Sequence, residues 1–187
     1  KGMTMCEIPP IRMLVLTLTG RCNFKCFYCY ASEQDPVDMT EETAIAAVAL
    51  AHVSKNQFLL QFSGGEPLLQ FPLIRKVVDF VEKNHVNAQM QIQTNGALLT
   101  KDIGKWLFDH HVGIGISCDG RPELMNRLCV SKDGDRSSQK VIQAFQNLGE
   151  VNIEAGITCV VTDDTVEQLD GIVDMAYFYG NVHQIGF

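Results

Sequence analysis

A chain of 187 residues, 46% hydrophobic and 20% charged, is long enough for one domain with a buried core and has the balance of an ordinary globular protein. Its net charge of −7 excludes nucleic acid as a bulk partner, because backbone phosphates demand a basic surface. No apolar run reaches the ~18 residues of a membrane-spanning helix, and residues 1–10 lack the apolar block of a secretory signal.

Apolar, β-rich runs alternate with helical patterns along the whole length. Residues 12–18 (RMLVLTL) read as a first strand, bounded by Pro9-Pro10 and Gly20. A cysteine-bearing loop follows. Thr40 then has the chemistry of a helix N-cap, with Glu41 and Glu42 in the first turn where the helix dipole favours acids. Residues 58–63 (FLLQFS) form a second strand that runs into Gly64-Gly65-Glu66-Pro67. Pro72 suits a helix start, and Leu73, Val77, Val78 and Val81 give that helix an apolar face. The cycle repeats with strands at 89–94, 113–118, 152–161 and 182–187, and helices at 101–109, 138–148 and 166–179.

Six strands separated by five helices predict an α/β fold with a parallel sheet and right-handed crossovers. A complete eight-fold barrel needs about 250 residues, so a partial (β/α)6 TIM-like barrel is expected, with residues 1–187 as one domain. In parallel barrels the sites lie at the carboxyl ends of the strands. The unusual sequences fall there: Cys22 to Cys29 after strand one, Gly64-Gly65-Glu66-Pro67 after strand two, Thr94-Asn95-Gly96 after strand three and Ser117-Cys118-Asp119-Gly120 after strand four. Four loops converge on one rim.

The seven cysteines, an odd number gathered toward the front, argue against a disulfide framework and for thiolates holding a metal in a reducing cytoplasm. Cys22, Cys26 and Cys29 stand at i, i+4 and i+7 within a compact loop. A zinc site wants four tetrahedral ligands, and the fourth would have to come from a distant residue such as Cys6 or His52. Iron–sulfur clusters are held by thiolates, generally four; three leave one iron open to a ligand. A zinc-binding interaction module without catalysis is therefore the competing reading.

C-x3-C-x-aromatic-C, here Cys22, Cys26, Tyr28 and Cys29, resembles the signature of the radical SAM superfamily, and Gly64-Gly65-Glu66-Pro67 resembles its second motif. The resemblance implies a [4Fe–4S] cluster on the three cysteines, with S-adenosylmethionine chelated to the fourth iron and cleaved to a 5′-deoxyadenosyl radical. It also implies that Gly64, Gly65 and Glu66 bind the methionine amino group, that Asn95 reaches the ribose, and that Ser117 contacts the carboxylate or ribose. Asp119 lies on the same face as Ser117, where it either joins that set or caps the turn at Gly120. Tyr28 is expected to pack either beside the cluster or into the core. An arginine that binds the carboxylate follows the Ser-x-Asp-Gly motif in related enzymes; Arg127 is the nearest candidate here, and Cys129 stands at the expected place itself.

Gln93-Thr94-Asn95-Gly96 and Ser117-Cys118-Asp119-Gly120 most resemble the branch that modifies peptides and proteins. That branch includes anaerobic sulfatase maturases, which make formylglycine, and enzymes that build thioether or carbon–carbon crosslinks in ribosomal peptides. Its members usually carry a cysteine-rich C-terminal extension of the SPASM or twitch type with auxiliary clusters, which is not found before Phe187; a core domain alone is expected. The partners implied are a peptide or protein substrate and an electron donor such as flavodoxin or ferredoxin. Radical chemistry on a small metabolite or a nucleic-acid base is the alternative within the family.

Overall fold

The computed structural model describes residues 10–33 and 35–187. Six parallel strands, β1 (Met13–Thr17), β3 (Phe58–Ser63), β4 (Ala88–Thr94), β5 (Val112–Ser117), β7 (Ala155–Thr158) and β8 (Val182–Gly186), lie in the order β1-β3-β4-β5-β7-β8. Each strand pairs with its predecessor in that series, and among the described residues β1 and β8 are the two edges of the sheet. This is the open six-strand barrel expected of a strand–helix repeat.

Strand alternation divides the sheet into two faces. Phe58, Leu60 and Phe62 of β3, Met90 and Ile92 of β4 and Ile114 and Ile116 of β5 are buried in the main core. Helices α1 (Glu41–His52), α2 (Phe71–Lys83), α3 (Lys101–Asp109), α5 (Ser137–Gly149) and α6 (Leu169–Tyr179) supply the covering layer, through residues such as Val48, Val77, Val78, Leu107, Phe145 and Ile172. Burying a side chain of this size contributes roughly 1.5–3 kcal/mol, so this layer carries the stability of the fold. The opposite face carries Gln61, Gln91, Gln93, Gly113, Gly115 and Ser117 in the alternate positions and is only half buried or exposed.

The helix starts follow local chemistry. Thr40 accepts from the Thr43 amide at 3.2 Å, as the Thr-Glu-Glu sequence predicts, and Thr100 does the same for α3 through Ile103. Several elements depart from the sequence reading. The strand predicted at 152–161 is only Ala155–Thr158: Asn152 takes φ 56°, and the chain after Thr158 turns away to meet Asp119. The helix predicted from Val166 begins as a single tight turn, Val166–Gln168, before α6. A second sheet, the antiparallel ribbon of β2 (Phe24–Cys26) and β6 (Cys129–Ser131), was not anticipated, nor was α4 (Pro122–Leu128), which leads into it.

Among the described residues no helix is long and apolar enough to cross a membrane.

Candidate cofactor site

At the carboxyl ends of the strands lies a cavity of about 360 Å³. It is lined by Cys22, Cys26, Tyr28 and Cys29 from the loop after β1, Gly64 and Gly65 after β3, Asn95 after β4, and Ser117 and Asp119 at the end of β5. The four loops singled out from the sequence meet around one space. Phe24, Met125, Val141 and Val160 make much of the remaining wall apolar.

The cysteine loop is anchored before it begins. Arg21 pairs with Asp38 through two hydrogen bonds of 2.6 and 3.1 Å, and Asp38 also accepts from the Thr19 hydroxyl at 2.6 Å. Glycines 64 and 65 pack against this same segment. A Cβ on Gly64 would lie 2.6 Å from the Thr19 carbonyl oxygen, and one on Gly65 would overlap the Arg21 carbonyl. The Gly65 amide donates to Thr19 at 2.8 Å and the Glu66 amide to Arg21 at 2.9 Å. Glycine is therefore required here so that two loops can share backbone hydrogen bonds at close approach.

Glu66 differs from the role implied by the resemblance. It is fully buried and does not line the cavity. One carboxylate oxygen accepts from the Thr94 hydroxyl at 2.6 Å and the Leu68 amide at 3.0 Å; the other accepts from the Asn95 amide at 2.8 Å. Burial pushes its pKa up, and the three donors pull it down. The side chain ties the loop after β3 to the loop after β4, and no oxygen is turned to a ligand's ammonium.

Asn95 continues the chain of contacts. Its side-chain amide donates to Asn23 at 2.8 Å and approaches the Cys22 sulfur at 3.7 Å, while its oxygen accepts from Ala97. The Phe24 amide also points at the Cys22 sulfur, at 3.4 Å. Burial pushes the Cys22 thiol pKa up, and these donors partly oppose it. Ser117 accepts from Gln93 at 3.0 Å, and Gln93 accepts from Thr158 at 3.1 Å, which binds β4, β5 and β7 together at the rim.

Asp119 is buried and bridges rather than caps. One oxygen accepts from the Val160 amide at 2.9 Å and the other from the Tyr28 hydroxyl. Burial pushes the pKa of both Asp119 and Tyr28 up, and the Asp119 charge adds to the rise at Tyr28. The Tyr28 hydroxyl also lies 3.2 Å from the Cys129 sulfur. Tyr28 thus reaches across the cavity from the cysteine loop to the far rim.

The β2–β6 ribbon and α4 form a flap with its own small core of Phe24, Leu124, Leu128 and Cys129, against which Cys22, Cys26 and Tyr28 pack. The ribbon sets Cys26 opposite Cys129, and the two sulfurs form a disulfide. The reading of the cysteines as free of a disulfide framework is corrected here for this pair. Cys22 and Cys29 are free and half buried; Cys118 and Cys159 are free and buried in the main core, as small apolar residues are. Cys6 lies outside the described residues. His52 ends α1 beside Lys55 and does not line the cavity.

Arg127 is not in the site. The buried face of α4 is Leu124, Met125 and Leu128, so Arg127 points to solvent and pairs with Asp164 at 2.8 Å. Cys129, the next residue but one, lines the cavity instead. The sequence reading also missed Gln93, Met125, Ser137 and Val160 in the wall. Only Gln93 carried a signal, since it is the inward-facing neighbour of the Thr94-Asn95-Gly96 turn.

The donor set is that of a three-thiolate cluster site. Cys22, Cys26 and Cys29 come from one loop and line one cavity. With Cys26 turned to Cys129, no three His, Cys, Asp or Glu side chains among the described residues are gathered closely enough to hold a metal ion. Three cysteine sulfurs from one loop, lining one cavity, are nonetheless the donor chemistry of an iron–sulfur site.

The family model of the radical SAM superfamily matches residues 16–176. An uncharacterised protein of Methanocaldococcus jannaschii is 37% identical over 95% of this chain and 62% of its own length. A cysteine-type anaerobic sulfatase-maturating enzyme of Clostridium perfringens is 28% identical over 88% of this chain and 48% of its own. A solved structure, native anSMEcpe with bound AdoMet and the Kp18Cys peptide, superposes with a TM-score of 0.83 at 25% identity, covering 95% of this chain and 51% of that one. The chain spans about half to three-fifths of the lengths of these relatives.

Proposed function

The chain belongs to the radical SAM superfamily, and on that premise we propose that Cys22, Cys26 and Cys29 hold a cluster with which S-adenosylmethionine is cleaved, to act on a peptide or protein substrate. The family's cofactors are a [4Fe–4S] cluster and S-adenosylmethionine. The chemistry they supply when bound is one-electron cleavage of the sulfonium, giving a carbon radical that takes a hydrogen atom from the substrate. The observation that carries the reading is the shared cavity: three cysteines of one loop line it together with the rim elements of three successive strands.

The chain's own residues divide the remaining work. Cys22, Cys26 and Cys29 would hold the cluster through their thiolates. The Gly64–Gly65 backbone, Asn95 and Ser117 line the space beside them and supply hydrogen-bonding groups for the polar ends of the sulfonium cofactor. Glu66 positions Asn95 by accepting from its backbone amide, and Asn95 in turn donates toward Cys22. Tyr28, Phe24, Met125 and Val141 exclude water from the wall. Arg127 has no part in this arrangement.

A peptide or protein substrate is supported by the likeness to a sulfatase-maturating enzyme and to a structure that holds a peptide. Within that class we assign the chain to formation of thioether or carbon–carbon crosslinks, with formylglycine formation as the neighbouring chemistry. A small redox protein supplies the electron. The reading is tested by incubating the anaerobically reconstituted and reduced chain with S-adenosylmethionine and measuring 5′-deoxyadenosine by chromatography. It should form, and Cys26→Ala should abolish it. Turnover unchanged by Cys26→Ala would refute the cluster assignment.

A further inference from the structure

The geometry points to Cys129 as a redox partner built for Cys26: in the cluster-free chain the two close a disulfide that withdraws one of the three cluster ligands, and a thiol reductant must open it before the cluster loads. This rests on the cluster reading of the same loop.

The argument starts from strand register. β2 and β6 are antiparallel, with Phe24 opposite Ser131, Lys25 opposite Val130 and Cys26 opposite Cys129. The Phe27 amide donates to Leu128 at 2.9 Å and the Lys132 amide to Asn23 at 2.9 Å, so the hydrogen-bonded rungs are 27/128 and 23/132. Rungs alternate along an antiparallel ladder, and 26/129 therefore falls on a non-hydrogen-bonded rung, where facing side chains come closest. The Cα atoms of the pair are 3.9 Å apart, and the two sulfurs are joined.

The surroundings are selective. Cys26 is half exposed, so a small thiol or disulfide can reach it, while Cys129 is buried under α4 with the Tyr28 hydroxyl 3.2 Å from its sulfur. Cys22 and Cys29 line the same cavity and remain free. Among the described cysteines, the one that the strand register sets opposite Cys26 is Cys129, which lies outside the three-residue motif.

The chemistry balances as thiol–disulfide exchange. Two thiols, Cys26 and Cys129, react with a low-molecular-weight disulfide of the oxidised-glutathione class. A sulfur–sulfur bond forms within the chain, the bond of the small disulfide breaks, and its halves leave as two thiols carrying the two protons and two electrons. A dithiol reverses the reaction. One sulfur of Cys26 cannot be both a disulfide sulfur and an iron-bound thiolate, so the two states exclude each other.

The test uses the cluster-free and the reconstituted chain, each treated with oxidised glutathione, alkylated, digested and read by mass spectrometry. In the cluster-free chain a single crosslink joining Cys26 to Cys129 is expected, with Cys22 and Cys29 alkylated. In the chain carrying about four irons that crosslink is absent and Cys129 alkylates. Iron uptake by the oxidised wild-type chain should require dithiol, whereas Cys129→Ser takes up iron with or without it; circular dichroism checks that the variant is folded. A crosslink from Cys26 to Cys22 or Cys29 in comparable amount, or a Cys26–Cys129 crosslink surviving in the iron-loaded chain, overturns the proposal. A fully reduced chain that takes up no iron overturns the cluster reading instead, and leaves the crosslink map of the cluster-free chain to decide the pairing alone.

Discussion

Replacing Glu66 by glutamine isolates the buried tie between the two central rim loops. Glutamine keeps the shape of the side chain but turns one acceptor oxygen into a donor. All three groups around Glu66, the Thr94 hydroxyl and the Leu68 and Asn95 amides, donate to it. Whichever way the amide is turned, its nitrogen faces at least one N–H or O–H. A hydrogen bond to a charged group contributes roughly 1.5–3 kcal/mol, and the unsatisfied donor adds a cost of similar order. Part of that loss is recovered because a buried carboxylate no longer has to be desolvated. The balance is a destabilisation of about 2 kcal/mol, against about 3 kcal/mol for Glu66→Ala, which removes all three bonds. For a domain of this size about 2 kcal/mol corresponds to a fall in Tm of about 4–8 °C. Urea unfolding of the reduced, cluster-free chain, followed by circular dichroism, measures it without involving the cofactors. If Glu66→Gln unfolds at the wild-type midpoint, the carboxyl is not an ionised three-way acceptor, and the positioning role given to it fails.

Gly65→Ala places a methyl group on the Arg21 carbonyl, where only backbone can yield. It should cost about 1–3 kcal/mol in urea unfolding and lower the iron taken up, because the cysteine loop must shift. Arg127→Ala removes only an exposed pair with Asp164. It should change stability by less than about 1 kcal/mol and leave iron content as in wild type; a large loss of iron would return Arg127 to the site.

Long, periodic elements were legible and short, distant pairings were not. β3 and β4 announce themselves through alternation, Phe58/Leu60/Phe62 against Gln61 and Met90/Ile92 against Gln91, and α1 through Thr40 and its acidic first turn. The convergence of the loops after β1, β3, β4 and β5 follows from a parallel sheet alone. The β2–β6 ribbon has three residues on each side and no periodicity, and its members lie about a hundred residues apart, so nothing local marks Cys129 as the partner of Cys26. A glutamate in a glycine-rich turn looks the same in sequence whether it faces a ligand or its own neighbours. Only burial and three donors distinguish Glu66 as the latter. Arg127 lies close to the motif in sequence, but the helix that carries it turns Leu124, Met125 and Leu128 inward and leaves the arginine outside.

The most direct measurement is iron, sulfide and zinc analysis of the dithiol-reduced chain after anaerobic reconstitution, with electron paramagnetic resonance of the reduced protein before and after adding S-adenosylmethionine. About four irons and four sulfides per chain, with a spectrum that changes when the sulfonium compound is added, is the expected result. One zinc in place of iron, or a cluster whose spectrum ignores S-adenosylmethionine, would contradict it.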